Sequence, residues 1–409
     1  MIFDRIIQIV NIKKFIFVFG VINILFALFS CDVPEILKEP AAKDVPFSQA
    51  TNVAFVLTTD YQTGSYSTID IQTLKTSKDL GMGHIHSDAC VRASHGRVYI
   101  INRLGRDNIQ TLDPIANFQT INELSMGTSS NPHDIILVSQ EKAYVTRYGE
   151  GELWIINPST NEKIGEIDIS EYADSSTGGK PRMSHLYYHA DTKRLFVEIQ
   201  RLKADWYPAD YSSAVVIDTE TDSVITEIKL QWGNESATNP YTHFRYVPRE
   251  DWQPVPPDNN DHIFVSCVGY FGFWIQLDCG IVAIDIQDME CEEGYVFSEE
   301  TANAEITEFV IKSGTVGYAT TSDADFHSKL LKFNPTTGEL IKTLREDEGE
   351  YGFLWSLAYH PASGKLFVCD RNALDPGVRI YDTNNDDEPL NDGDPVYVGL
   401  PPFDIVFVE

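Results

Sequence analysis

Positive charge is scarce in this 409-residue chain: 31 Lys and Arg stand against 61 Asp and Glu, and the acidic excess is spread along the length rather than gathered in a tail. A surface of that sign repels phosphate backbones, so nucleic acid is excluded as a partner, and solubility and attraction for cations are the expected consequences. Linear catalytic signatures are missing too. There is no G-x-S-x-G, no H-E-x-x-H, no phosphate-cradling glycine loop, no CxxC pair, and no Ser, His and Asp set spaced as a triad. Their absence weakens an enzyme reading without closing it, because sites can be built from single residues of distant segments. Cysteine is sparse as well, at six residues.

What is present begins with the apolar segment FIFVFGVINILFALFS, residues 15–30, preceded by Arg5, Lys13 and Lys14. It is short for a bilayer span of about twenty residues and suits the core of a signal peptide over residues 1–30. The run Leu28-Phe29-Ser30-Cys31 resembles a bacterial lipobox, which implies that Cys31 takes a diacylglyceryl group and becomes the mature N-terminus. The alternative is an uncleaved N-terminal anchor. Either places the body outside the cytoplasm on a membrane tether, in the cell envelope facing periplasm or exterior, with residues 31–50 as lipidated N-terminus and tether and residues 51–409 as the globular part. Loss of residues 1–30 leaves 28 basic against 60 acidic side chains. Export also makes disulfides admissible. Besides Cys31 the cysteines are Cys90, Cys267, Cys279, Cys291 and Cys369, an odd number, and a bridge among Cys267, Cys279 and Cys291 is expected from their proximity in one repeat.

The body is repetitive. Short β-rich runs recur as AFVLT (54–58), VYIIN (98–102), AYVTR (143–147), LFVEI (195–199), IFVSC (263–267), GYATT (317–321) and LFVCD (366–370). Each is followed by a run ending in Asp or Asn, at Asp70, Asp113, Asn157, Asp218, Asp285, Asn334 and Asp382, which opens a turn into a further strand. A single four-stranded sheet cannot bury both its faces, so the copies must stack. The first copy lacks an inner strand, and the chain ends with one to spare: PPFDIVFVE, residues 401–409, matches NPHDIILVS, residues 131–139. The expected fold class is therefore all-β, a seven-bladed β-propeller closed by pairing of the C-terminal strand with the first blade, and monomeric.

The copy Ala143-Tyr144-Val145-Thr146, followed by Trp154-Ile155-Ile156-Asn157-Pro158, resembles the YVTN-type propeller repeat of exported bacterial and archaeal surface proteins, with Arg147 where that pattern has Asn. The resemblance implies the fold and an extracytoplasmic setting and carries no activity.

In a propeller, loops from each outer strand to the next inner strand, and those between strands two and three, share one rim, here called upper. In the register of Asp134 the blades place Asp404, Asp88, Asp134, His185, His243, Glu305 and Ser356 around one mouth of the channel, flanked by His84, His86 and His133. Asp88, Asp134, His185 and His243 are candidate ligands to a divalent cation; the alternative is that such groups are satisfied by backbone amides of neighbouring blades. Two upper insertions are aromatic, with Trp206, Tyr207 and Tyr211 in residues 200–213 and Tyr270, Phe271, Phe273 and Trp274 in residues 269–278. Such rings stack on sugars, apolar ligands or a protein partner, or pack on one another as a satellite core. The expected function is binding of a ligand, a cell-envelope protein or a glycan at the upper mouth; the alternative is a metal-dependent hydrolase or lyase using the Asp/His ring. On the lower rim, residues 382–394 (DTNNDDEPLNDGD) fail as an EF-hand for want of Gly at the sixth position and Glu at the twelfth, and read as a solvated acidic turn, with a loosely bound calcium as the alternative.

Overall fold

The computed structural model describes residues 52–249, 252, 260–271, 276–347 and 353–408. The signal segment, Cys31 and the tether lie outside the described residues, as does Trp274. No helix among the described residues is long and apolar enough to cross a membrane.

Among the described residues seven antiparallel sheets of four or five strands follow one another, with a separate two-stranded ribbon of Gln231–Trp232 and Glu235–Ser236. Blade 1 runs outward through Val53–Thr59, Gly64–Asp70 and Thr76–Ile85, and its innermost strand is the C-terminal Pro402–Val408. Blades 2, 3, 4, 5, 6 and 7 begin at the inner strands Ala89–Ser94, Pro132–Ser139, Met183–His189, Arg245–Val247, Glu305–Ser313 and Leu354–His360. All seven second strands lie on the runs expected from the repeat, and the third strands end on the expected Asp or Asn in every blade. That residue then turns the chain with its own side chain. Asp70, Asn157, Asp218 and Asn334 each accept from the amides two and three positions on.

Strand alternation explains why the second strands read as unbroken apolar runs. Successive side chains point to opposite faces, and both faces are covered by another blade. In Val53–Thr59, Phe55 and Leu57 pack with Val91 and Ile100 of blade 2 while Ala54 and Val56 pack with Phe367 and Cys369 of blade 7. Among the described residues seven apolar clusters result, one in each blade-to-blade interface.

Closure is by main-chain pairing. Val53 stands opposite Val408 and Leu57 opposite Asp404. The pairing is extended by Asn52 N–H to Val408 O (2.9 Å) and Thr59 N–H to Pro401 O (2.8 Å).

All five described cysteines are free thiols, so the expected bridge among Cys267, Cys279 and Cys291 is not formed. Cys267 and Cys279 are instead small apolar groups in the cluster between blades 4 and 5. Their proximity in sequence reflects one blade's core, where strand alternation decides which side chains meet. The acidic turn is also less solvated than expected, because Asp387 is buried and accepts from Tyr318 Oη (2.5 Å) and Lys332 Nζ (2.6 Å).

Candidate functional site

The inner strands of blades 1, 3, 4, 6 and 7 enter the mouth through a bulge, which turns one polar side chain onto the axis, whereas that of blade 2 pairs without a shift. Asp134 defines the position. Its Oδ1 accepts from its neighbour Ile135 N–H (2.8 Å) and its Oδ2 from Leu186 N–H of the next blade (2.8 Å). Asp404 repeats the pattern with Ile405 N–H (2.8 Å) and with Val91 N–H of the next blade (3.0 Å). The match of Val91 with Leu186 puts Cys90 in the ring in place of Asp88. Asp88 stands two residues earlier and pairs with Arg103, whose Nε is 3.1 Å away. In blade 6 the position goes to Glu308, which accepts from Phe309 N–H (3.0 Å), while Glu305 pairs across to Ser322 at the start of the strand. In blade 2 the register is marked by the Val91 amide meeting the Asp404 carboxylate of blade 1, and in blade 6 by the Phe309 amide and the Arg245 guanidinium of blade 5, contacts that an alignment drawn to acidic residues does not contain.

Below the ring, alternation brings Arg92 and Arg245, two residues on from Cys90 and His243, onto the same inward face. Arg92 donates from Nε to Asp134 Oδ1 (2.6 Å) and from Nη2 to Leu186 O (3.0 Å). Arg245 pairs with Glu308 at 3.1 Å. Sequence reading missed both, although each lies two residues from a ring position.

Asp134, His185 and His243 converge as expected, with a potential ligand atom of each within 4.8 Å of the others. The imidazoles touch at 3.9 Å between centroids, and their Nδ1 atoms stand 3.8 and 3.9 Å from Asp134 Oδ2. Asp134, however, is fully engaged by two amides and the Arg92 guanidinium. Burial pushes its carboxyl up, but the charge and hydrogen bonds of Arg92, helped by His185, outweigh that and hold it below the usual range. A cation would enter only by displacing Arg92. His243 is driven well below the ordinary imidazole range by burial first and then by His185 and the arginines Arg92, Arg245 and Arg103, so it is neutral at pH 7. His133 is lowered likewise by burial, Arg103 and His185. Behind the ring lies Glu198, buried and bonded to Ser184 Oγ, its acid pushed up to about 7 by burial against the opposing effects of His185 and that bond. Burial raises the acids of Asp404 and Glu308 as well. Among the described residues two further groups of potential ligands lie off this site, His262, Asp285 and Glu292, and Asp278, Cys279 and Glu299.

Above this floor opens a cavity of about 370 Å³ with an aromatic collar of Tyr148, Trp206, Tyr241, Phe271, Trp355 and Phe403. His133, Tyr148 and Trp206 form a stack, with His133 on Tyr148 at 4.2 Å and Tyr148 parallel to Trp206 at 6.5 Å. Trp206 is 57% exposed, so it closes no satellite core. Tyr207 is turned away from the cavity and stacks on Tyr270 at 4.7 Å. Of the expected residues, the structure gathers His133, His185, His243, Ser356, Asp404 and Trp206 in the lining of the mouth, buries Asp134 against His185 and His243, and leaves Asp88, Glu305 and Tyr207 outside the lining.

No protein-family model matches the chain, and no curated protein matches its sequence. Solved structures do match in fold. A candidate 6-phosphogluconolactonase from Bacteroides fragilis aligns over 90% of this chain and 100% of its own, with a TM-score of 0.59 at 13% identity. A candidate 6-phosphogluconolactonase from Bacteroides uniformis aligns over 87% and 99%, with 0.57 at 13%. The β-propeller domain of Cps50 (Swd1) from Myceliophteria thermophila aligns over 77% and 90%, with 0.52 at 11%. The chain is a seven-bladed β-propeller; identities this low carry the fold alone.

Proposed function

We propose that the protein is a membrane-anchored extracytoplasmic lipoprotein whose propeller binds an organic ligand at the upper mouth, either a small molecule or an exposed group of an envelope glycan or protein. The binding half rests on one observation, the cavity of about 370 Å³ that joins an aromatic collar to a floor of hydrogen-bonding groups. That combination suits a ligand with both a flat or C–H-rich face and polar substituents. The anchoring half rests on residues 15–30 and Cys31.

Titration against a panel of saccharides and solubilised envelope glycans, followed by tryptophan fluorescence, tests the site. Binding is expected, and Trp206→Ala combined with Trp355→Ala is expected to weaken it at least tenfold; a panel without a binder, or a double variant that binds equally, overturns the reading. Labelling with palmitate in a bacterial host tests the anchor, with label expected on the native chain and lost in Cys31→Ser.

The convergence of Asp134, His185 and His243 supports a second reading, a metal-dependent hydrolase or lyase. Equimolar metal in the purified protein, lost in His185→Ala with His243→Ala, would establish it. Against it stands the saturation of Asp134 by Arg92 and two amides.

A further inference from the structure

We propose that the ligand of the upper mouth is an acidic saccharide, a sugar ring bearing a carboxylate or sulfate, and that Arg182 takes the anionic group. The inference rests on the binding reading above and deepens it. Arginines of the mouth and channel have acceptors in nearly every case: Arg92, Arg103, Arg201 and Arg245 on carboxylates, Arg147 and Arg371 on backbone carbonyls. Arg182 has no acid or carbonyl partner among the described residues, and its Nε is buried without an acceptor. What holds it is aromatic. Its guanidinium lies 4.6 Å from the centre of Trp206 and 5.4 Å from that of Tyr148, two cavity-lining rings within 5° of parallel.

Held against these two rings and given no acceptor by the protein, the guanidinium has N–H groups left for hydrogen bonds, in the fork geometry that matches a two-oxygen anion. The stack is fixed from below. Tyr148 Oη donates to Gln200 Oε1 (2.7 Å), and Gln200 Nε2 donates to Pro240 O (2.9 Å). Arg182 itself is held with φ at 63°, a conformation that costs a residue bearing a side chain and persists only where surroundings impose it. In a chain of net charge −30, a cation left without a counter-charge beside a cavity is the feature that would draw an anion there. The ring of the ligand is indicated by Trp206 and Trp355 in the collar, and its hydroxyls by Thr242, Thr307, Ser356 and His185 below them.

Calorimetry and saturation-transfer NMR on the full chain in detergent, with glucuronate, glucose 6-sulfate and glucose as probes, test the inference. One or both acids are expected to bind at least tenfold more tightly than glucose, the difference between them telling carboxylate from sulfate, and Arg182→Gln is expected to abolish the preference. Arg182→Lys, which keeps the charge and loses the fork, is expected to restore part of it. Equal binding of glucose and both acids, or an Arg182→Gln protein of native melting temperature with undiminished acid affinity, overturns the inference while leaving the binding reading intact. Failure of all three probes to bind overturns it too, and the wider glycan panel then decides whether the binding reading survives.

Discussion

Arg92 and Asp134 are unequal partners, since the carboxylate is buried and the guanidinium keeps partial access to water. Removing the guanidinium would strand a charge with nowhere to go. Arg92→Met is expected to cost about 3 kcal/mol in denaturant unfolding, and Asp134→Asn added to it is expected to recover much of that loss, because the uncompensated charge carries the penalty. Glu198 contributes a pH dependence of definite sign. Its acid titrates at about 7 in the folded protein against an ordinary value of 4.5. Between those values the native state holds a proton that the unfolded chain releases, so this group's contribution is complete below about 4.5 and is lost as pH rises through 7. Glu198→Gln is expected to flatten that limb and, at pH 8, to exceed the native chain's stability by about 3 kcal/mol. Asp134 acts in the opposite direction, its contribution being present at neutral pH and lost as pH falls through its lowered value.

At the scale of strands and turns, neighbouring blades are clasped at the lower rim by a recurring device. A cation at the start of a second strand, or in blade 6 near the end of the inner strand, donates to the carbonyl just past the turn-opening Asp of the next blade: Lys142 to Thr219 O (2.8 Å), Arg194 to Ile286 O (2.5 Å), Lys312 to Thr383 O (3.0 Å) and Lys365 to Ile71 O (2.5 Å). In two interfaces a tyrosine adds to it, Tyr144 donating to Asp222 and Tyr318 to Asp387. Tyr144→Phe and Tyr318→Phe are each expected to lower stability by about 1–2 kcal/mol, read from urea midpoints, because a charged acceptor loses its donor. These tyrosines also show what was legible beforehand. Their runs, AYVTR and GYATT, gave blade number and strand order, since burial on two faces and Asx turns are local in sequence. The floor of the mouth was only partly legible. Asp134, His185 and His243 stood out by residue type, whereas the places of Cys90 and Glu308 show only in contacts across blades, Val91 N–H to Asp404 and Arg245 to Glu308, and Arg92 and Arg245 are read only once the inward face is known. The collar was half visible: Trp206 announces itself in an insertion, but Trp355 and Phe403 sit in ordinary strand entries.

For the whole molecule, the decisive join is that of Pro402–Val408 with Val53–Thr59. Deleting residues 401–409 would uncover an inner strand edge and one face of two interfaces together. Such a chain is expected to lose its single cooperative calorimetric transition and to aggregate, whereas substitution within the lower acidic turn is not. The apolar clusters that hold the ring together lie between blades, and of the groups at the axis only Cys90 belongs to one of them. Cohesion and recognition are thus assigned to different atoms, Cys90 excepted. A lineage carrying this scaffold can exchange the acids, imidazoles and hydroxyls at its centre one by one, retuning what it captures while the adhesive seams around the circumference stay as they are.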